Sequence, residues 1–578
     1  MVQGLTSDSQ VLAARKRADR EGKLSAHANW RMAVSQDILD VSQYPLMKLT
    51  GEERNIVKCD ATTLVDLIRK RVHTAHEVLT AFVKAAVVAQ DVTNCLTEIF
   101  IEEGFERARE LDQYLEETGK VVGPLHGLPV SIKDHIKIKG LDTSTGYIGW
   151  AYKTVADSDA VVVDILRKAG AVLFVKTQNP QTLLSLETDN NVFGRALNPF
   201  NRNLTPGGSS GGESALIACH GSPLGVGTDI GGSVRIPAAH CGLYGLKGSV
   251  ARLPHAGLLG SHDGMEAIIG CVGPLARSAR DLELFCRVML DAKPWLVEPP
   301  LLEMPWKRDV ARGEDLPEKL SIAILFDDGV VAPHPPIAEA LKRYKNALTA
   351  AGHDIIEWHP LDHQYGWDLI VRRSHVIVIP TYSALCQVKL YLLDGGAEYH
   401  ETILGAGETE VPQTQWLLNH ANGRAPYTPA EMFRLNAERE LFRLKALAHW
   451  NATQQRTASG RPVDAILCPV ASTLAPPHNT TTWWGYSSQW NILDLPGVAF
   501  PVGKFKASQN ATYPPFAPPR NDVEKFIQGQ WDPATYDNAP ISLQLVGRRH
   551  NEERLLAILN VLEREVPCGV AMNGTMKV

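Results

Sequence analysis

The chain has 578 residues, 44% hydrophobic and 21% charged, with a formal net charge of −6; this ordinary globular usage excludes a disordered, collagen-like or coiled-coil protein. Lys and Arg are interleaved with Asp and Glu instead of forming a basic stripe, which excludes nucleic acid as a partner. The first thirty residues are polar, with no apolar signal-peptide core, and no later run reaches the roughly 18 apolar residues that span a bilayer, so the expectation is a cytoplasmic protein without a membrane span.

Residues 1–60 read as a polar helical extension, because LAARKRADREGK lacks strand formers, with a break expected at Tyr44-Pro45. From Thr62 onward Leu64, Leu67, Ile68 and Val72 recur at helical spacing. Thr74-x-x-Glu77 is a capping box that starts a second helix through Val88, and a third covers about 101–117. Alternation then begins, with a strand at Leu128–Ile132, a helix at Ala160–Lys168 closed by Gly170, and a strand at Ala171–Val175. This order predicts an α/β fold with a mixed or parallel central β-sheet sandwiched by helices.

The region 300–450 is less regular and rich in Trp, His and Pro, and it leads into a helix at Pro429–Ala448. Two apolar runs, AILCPV (465–470) and ISLQLVG (541–547), read as buried strands on either side of a Pro-rich loop at Ser508–Arg520, and Asn551–Arg564 closes the chain as a helix. There is no internal repeat of fixed period. The nine cysteines never form a CxxC pair and HExxH is absent, which predicts buried free thiols, no disulfide framework, and no metal or organic cofactor.

Chemistry concentrates between Thr205 and Gly242, where three Gly-Gly pairs flank serines in TPGGSSGGESALIACHGSPLGVGTDIGGSVRIPAAHCG. Glycine tolerates positive φ and lets backbone N–H groups converge, so such a loop suits either a phosphate or an oxyanion. The Gly-Lys-Ser/Thr order of a phosphate loop is missing. Gly207-x-Ser209-x-Gly211 formally matches a nucleophile elbow, but it follows NPFNRNLTP, which is no central strand. The interleaved runs ALIA, PLGVG and VRIPAA belong in a core and exclude a linker.

GPLHGLPVSIKDHIKIKG (123–140), GGSSGGE (207–213) and GVGTDIGGSVRIPAA (225–239), in that order, resemble the amidase signature family. VDAILCPV (463–470), DLPGVAFPVG (494–503) and APISLQLVGRRHNEERLLAI (539–558) extend the likeness over about 60–560, and the wider chain is similar to the acetamidase-like amidases of fungi. The resemblance implies the amidase signature fold as a catalytic domain over 61–570, with a variable substrate-shaping region at about 300–450. It implies a triad in which Ser233 is the nucleophile, Ser209, preceded by a cis peptide, relays its proton, and Lys133 is the ultimate base.

A lysine serves as a base only when neutral, which requires its pKa to fall from about 10.4 towards roughly 7–8. Burial at the end of the strand-like run LPVSIKD would supply that shift. His135 and His240 are near in sequence but lie outside the family's motif. The resemblance further implies oxyanion donors at the N–H groups of Ile230, Gly231, Gly232 and Ser233, and loop-holding roles for Ser210, Asp229 and Arg235. It places Tyr147, Leu183 and Leu184 at the acyl pocket, and Trp483, Trp484 and Trp490 are candidates for the entrance wall.

The implied reaction is hydrolysis of carboxylic amides to acid and ammonia or amine through an acyl-enzyme, with esters or carbamates as side substrates. Two alternatives stand beside it: an amidotransferase subunit releasing ammonia from glutamine, and an inactive amidase-like binding protein. The expected partner is a small-molecule amide, and a homodimer is allowed.

Overall fold

The computed structural model describes residues 7–370, 390–421, 425–507, 513 and 515–566. Cys386, Cys568 and residues 508–512 and 514 of the Pro-rich stretch lie outside the described residues.

The N-terminal segment forms α1 (Ser7–Ser25), α2 (Tyr44–Met47) and α3 (Gly51–Lys58). Pro45 starts a helix where a break was expected: it sits in the first turn of α2, where its missing N–H is not needed. Lys16 of α1 is buried against Asp142, at 2.8 Å, and Glu98, which docks this segment on the rest of the protein. Next come α4 (Ala61–Arg69), α5 (Ala75–Thr93) and α6 (Ile101–Thr118). The capping box at Thr74 and Glu77 is present, and α5 runs beyond Val88 to Asn94, whose left-handed φ of 52° ends it. Val72 lies past the end of α4 and is exposed, so its helical spacing was fortuitous.

The sheet strands are β1 (Leu96–Ile99), β2 (Pro129–Lys133) and β3 (Val172–Thr177), followed by a two-strand ribbon of β4 (Asp189–Asn190) and β5 (Gly194–Arg195). Then come β6 (Leu224–Asp229), β7 (Tyr244–Lys247), β8 (Cys271–Ala276), β9 (Ser321–Ile324), β10 (Asp354–Glu357), β11 (Ala465–Pro469), β12 (Gly497–Lys504) and β13 (Pro540–Val546). Eleven of them form one sheet in the order β1-β3-β2-β6-β8-β7-β12-β13-β11-β9-β10. The sheet is mixed: β3-β2-β6 and β11-β9-β10 pair in parallel, and the other neighbours are antiparallel. β1 was not visible in the sequence, since LTEI is too short to show a period of two.

Helices cover both faces, as the alternation of strand residues requires. Ile322, Ile324, Leu467, Val498 and Leu543 pack on one face, where α4, α7 (Val161–Lys168) and the helix Ala279–Asp291 contribute to the same core. Ala323, Ile466, Cys468 and Ala499 face a second core that holds Trp358, Trp367, Trp483, Trp484 and Trp490. The seven described cysteines are free thiols. No helix among the described residues is long and apolar enough to cross a membrane.

Candidate active site

Parallel pairing builds the site. β2 and β6 run side by side in register, Ser131 opposite Gly225 and Ile132 opposite Val226, so the ends of both strands arrive together. Lys133 closes β2 and Thr228 lies near the end of β6. The chain leaves β6 through residues 230–234 into α9 (Arg235–His240), and the segment 205–210 enters α8 (Gly211–Ala218) alongside.

Lys133, Ser209 and Ser233 are all buried. Lys133 Nζ lies 2.6 Å from Ser209 Oγ and 3.1 Å from Thr228 Oγ1, which in turn is 2.9 Å from His135 Nε2. The Ser209 and Ser233 hydroxyls form no hydrogen bond with each other in the structure. Their backbones are tied instead, because the Ser210 N–H donates to the Ser233 carbonyl at 3.2 Å. The Gly208–Ser209 peptide is cis. A Cβ on Gly208 would fall 2.6 Å from the Glu187 backbone, so only glycine fits there.

Burial depresses the Lys133 ammonium from 10.5 to about 7, against the opposing pull of Asp229 and Glu213. Glu213 lies behind the strand ends, accepting from Ser131 Oγ at 2.5 Å and Thr177 Oγ1 at 2.8 Å. Its own burial pushes its carboxyl up to about 8.

Asp229 and Arg235 lock the turn between β6 and α9. Arg235 Nε and Nη2 each donate to Asp229 at 3.0 Å, and Asn491 Nδ2 adds a third donor at 2.9 Å. Burial would raise this carboxyl, but the guanidinium and the amide hold it well below the usual carboxylate range. Arg235 also donates to Asn491 and to Gln544 of β13, so the turn is tied to strands and helices from the far end of the chain.

The expected set of four converging N–H groups is narrowed here. Gly232 donates its N–H to Asp229 Oδ1 at 2.9 Å, because the same carboxylate that holds Arg235 also caps this turn. The N–H groups of Ile230, Gly231 and Ser233 have no acceptor among the described residues. The carbonyls of the loop are held from above: Tyr391 Oη donates to Ile230 at 2.5 Å and Ser487 Oγ to Gly231 at 2.6 Å. A Cβ on Gly231 would meet Tyr391 Oη at 2.9 Å and Trp484 at 3.6 Å, so these two side chains roof the loop.

Tyr147 is fully buried, with its hydroxyl on Ser261 Oγ at 2.8 Å and its ring against Trp150. Tyr147 and Leu184 share an apolar layer with Val234, Ile236, Tyr391 and Trp484. Leu183 is partly exposed, with φ 62°. Trp483, Trp484 and Trp490 lie inside the second core; Trp483 packs on Trp367 and its indole N–H donates to Asp328 Oδ2 at 2.8 Å.

Sequence reasoning passed over Thr228, although it stands inside the GVGTDIGGS motif, and it set His135 aside. Tyr391, Ser487 and Asn491 are 150 or more residues away in the chain and carry no local pattern that could have marked them. No group of three His, Cys, Asp or Glu side chains suited to a metal occurs among the described residues.

The arrangement is a buried amine of lowered pKa beside a hydroxyl, a second hydroxyl on a glycine turn, and N–H groups of that turn without an acceptor among the described residues, which are the parts acyl transfer requires. Comparison with known proteins places the chain in a family. The family model described as Amidase matches residues 77–556. The chain is 37% identical to an acetamidase of Aspergillus oryzae over 95% of its own length and 97% of that protein's. It is 38% identical to an acetamidase of Emericella nidulans over 88% and 89%. The solved structure of a fatty acid amide hydrolase superposes with a TM-score of 0.88 at 32% identity, covering 99% of this chain and 98% of that one. Since the match takes in β2, both serine loops and the distal segments that brace them, the chain belongs to the amidase family and is an amide hydrolase.

Proposed function

We propose that this amide hydrolase cleaves small aliphatic or aryl carboxylic amides through an acyl-enzyme on Ser233, with Ser209 carrying the proton between Ser233 and Lys133. The observation that supports this most is the 2.6 Å contact of Ser209 Oγ with a lysine whose ammonium is depressed to about 7. Near neutral pH such an amine has a free lone pair for a large part of the time.

In this reading Lys133 Nζ takes the Ser209 proton while Ser209 Oγ takes that of Ser233, and Ser233 Oγ attacks the carbonyl carbon. The step requires the Ser233 hydroxyl to reach Ser209, a contact that forms once substrate fills the site. The oxyanion that develops is met by the N–H groups of Ile230, Gly231 and Ser233. The C–N bond then breaks as the leaving nitrogen receives the proton back from Lys133 through Ser209. Water repeats the sequence and releases the acid.

Tyr391 supports the oxyanion step. In a trans peptide the carbonyl and the next N–H point in opposite directions. Holding the Ile230 carbonyl therefore sets where the Gly231 N–H points. The roof of Tyr391 and Trp484 over Gly231 favours short or flat acyl groups, in keeping with relatives named as acetamidases.

The test is a panel of acetamide, propionamide, benzamide, acetanilide and glutamine with the purified chain, with and without hydroxylamine. Release of ammonia or aniline from the simple amides, hydroxamate formation, and loss of both in Ser233→Ala are expected. Activity on glutamine alone would favour an amidotransferase role, and turnover by Ser233→Ala at the wild-type rate would overturn the acyl-enzyme.

A further inference from the structure

Lys133 belongs to a hydrogen-bond chain that continues past the three residues of the proposed reaction. Its Nζ has Ser209 Oγ on one side and Thr228 Oγ1 on the other, and Thr228 Oγ1 continues to His135 Nε2 at 2.9 Å. All four side chains are buried, so a partner lost from this chain leaves a polar group stranded.

Counting donors and acceptors gives the chain a direction. A neutral amine has two N–H donors and one lone pair, and it takes the Ser209 proton only when that lone pair faces Ser209. Thr228 Oγ1 can accept a lysine N–H and so turn the lone pair the right way. As a hydroxyl it can equally donate to the lone pair and block it. The outcome depends on where the Thr228 proton goes. With the imidazole proton on Nδ1, Nε2, the atom facing Thr228 at 2.9 Å, is a bare acceptor. The Thr228 O–H donates to it, the Thr228 lone pairs turn to Lys133, and the lysine lone pair is left for Ser209.

We propose that His135 is a positioning residue which, acting through Thr228, holds the Lys133 amine in the orientation that accepts the Ser209 proton. The inference deepens the proposed triad and rests on it. No bond is made or broken at His135, and the catalytic proton travels only between Ser233, Ser209, Lys133 and the leaving nitrogen. The imidazole stays neutral throughout, because burial opposes its charge, as do Lys133, His255 and Lys176 nearby. Lys133 itself faces the carboxyls of Asp229 and Glu213, which act against its burial.

The experiment uses full-length His135→Leu, His135→Gln, Thr228→Val and the double variant His135→Leu/Thr228→Val. It reads the rate of Ser233 modification by a fluorophosphonate probe as a function of pH. His135→Leu is expected to lower the high-pH plateau about ten- to a hundredfold without moving the midpoint upward, because the amine still deprotonates but faces the wrong way. His135→Gln, whose side-chain carbonyl can accept near the Nε2 position, recovers most of that rate, which a loss of packing would not allow. The double variant is no slower than the slower single one, since both cut the same chain.

A wild-type rate in His135→Leu, a His135→Gln as slow as His135→Leu, or multiplying losses in the double variant would each overturn the proposal. Modification of Ser233→Ala at the wild-type rate is a different result, and it removes the triad itself.

Discussion

Replacing Lys133 with methionine should abolish activity and, near neutral pH, make the protein more stable. A fall from 10.5 to about 7 corresponds to roughly 5 kcal/mol against the charged form in the folded state, at about 1.36 kcal/mol per tenfold. Between these values the unfolded chain binds a proton that the folded chain does not, so wild-type stability rises with pH through that window. The folded pKa lies below the unfolded one, so the cost is nearly full at pH 7 and has almost vanished by pH 10.

Methionine keeps the length of the side chain but removes one hydrogen bond from each of Ser209 and Thr228, a loss of about 1 kcal/mol each. The variant should therefore be about 2 kcal/mol more stable than wild type at pH 7 and slightly less stable at pH 10. Urea midpoints of both proteins at the two pH values measure this directly. An offset of the same sign and size at both would refute the claim that Lys133 is held neutral by burial.

Arg235→Leu should cost about 3–5 kcal/mol in stability, read as a lowered urea midpoint, because the buried Asp229 carboxylate loses its cation. Tyr391→Phe should lower kcat about tenfold with little change in KM, since it frees the Ile230 carbonyl without touching the fold of the turn; steady-state kinetics on an accepted amide would show it. Ser209→Ala should slow turnover about a hundredfold or more without eliminating it, as a water can stand in for the relay hydroxyl; an unchanged kcat would remove the relay.

The fold was legible where local signals are strong. Thr74 and Glu77 marked the start of α5, Gly170 closed the turn before β3, and the apolar runs of β11 and β13 carried their own assignment. Short segments hid themselves: β1 is four residues long, and Pro45 stops or starts a helix depending only on whether it falls in the first turn. At the site, the glycine-serine runs marked a stretch of close backbone approach, and the resemblance to the amidase signature family singled out Ser209 and Ser233 within it. What closes over that turn was not legible. Tyr391, Ser487, Asn491 and Gln544 reach it from other parts of the chain, and nothing in a local window records a tertiary hydrogen bond. The commitment of the Gly232 N–H to Asp229 was hidden for the same reason, since it depends on a carboxylate rotamer set by Arg235.

The central claim is that Ser233 is made nucleophilic by a buried, neutral Lys133. Fluorophosphonate labelling across pH, with peptide mapping of the adduct, tests it most directly. The adduct should form on Ser233, at a rate that rises with pH through a midpoint near the Lys133 value of about 7, and at a low, nearly flat rate in Lys133→Met. Labelling that persists in Ser233→Ala, or a wild-type rate indifferent to pH across that range, would contradict it.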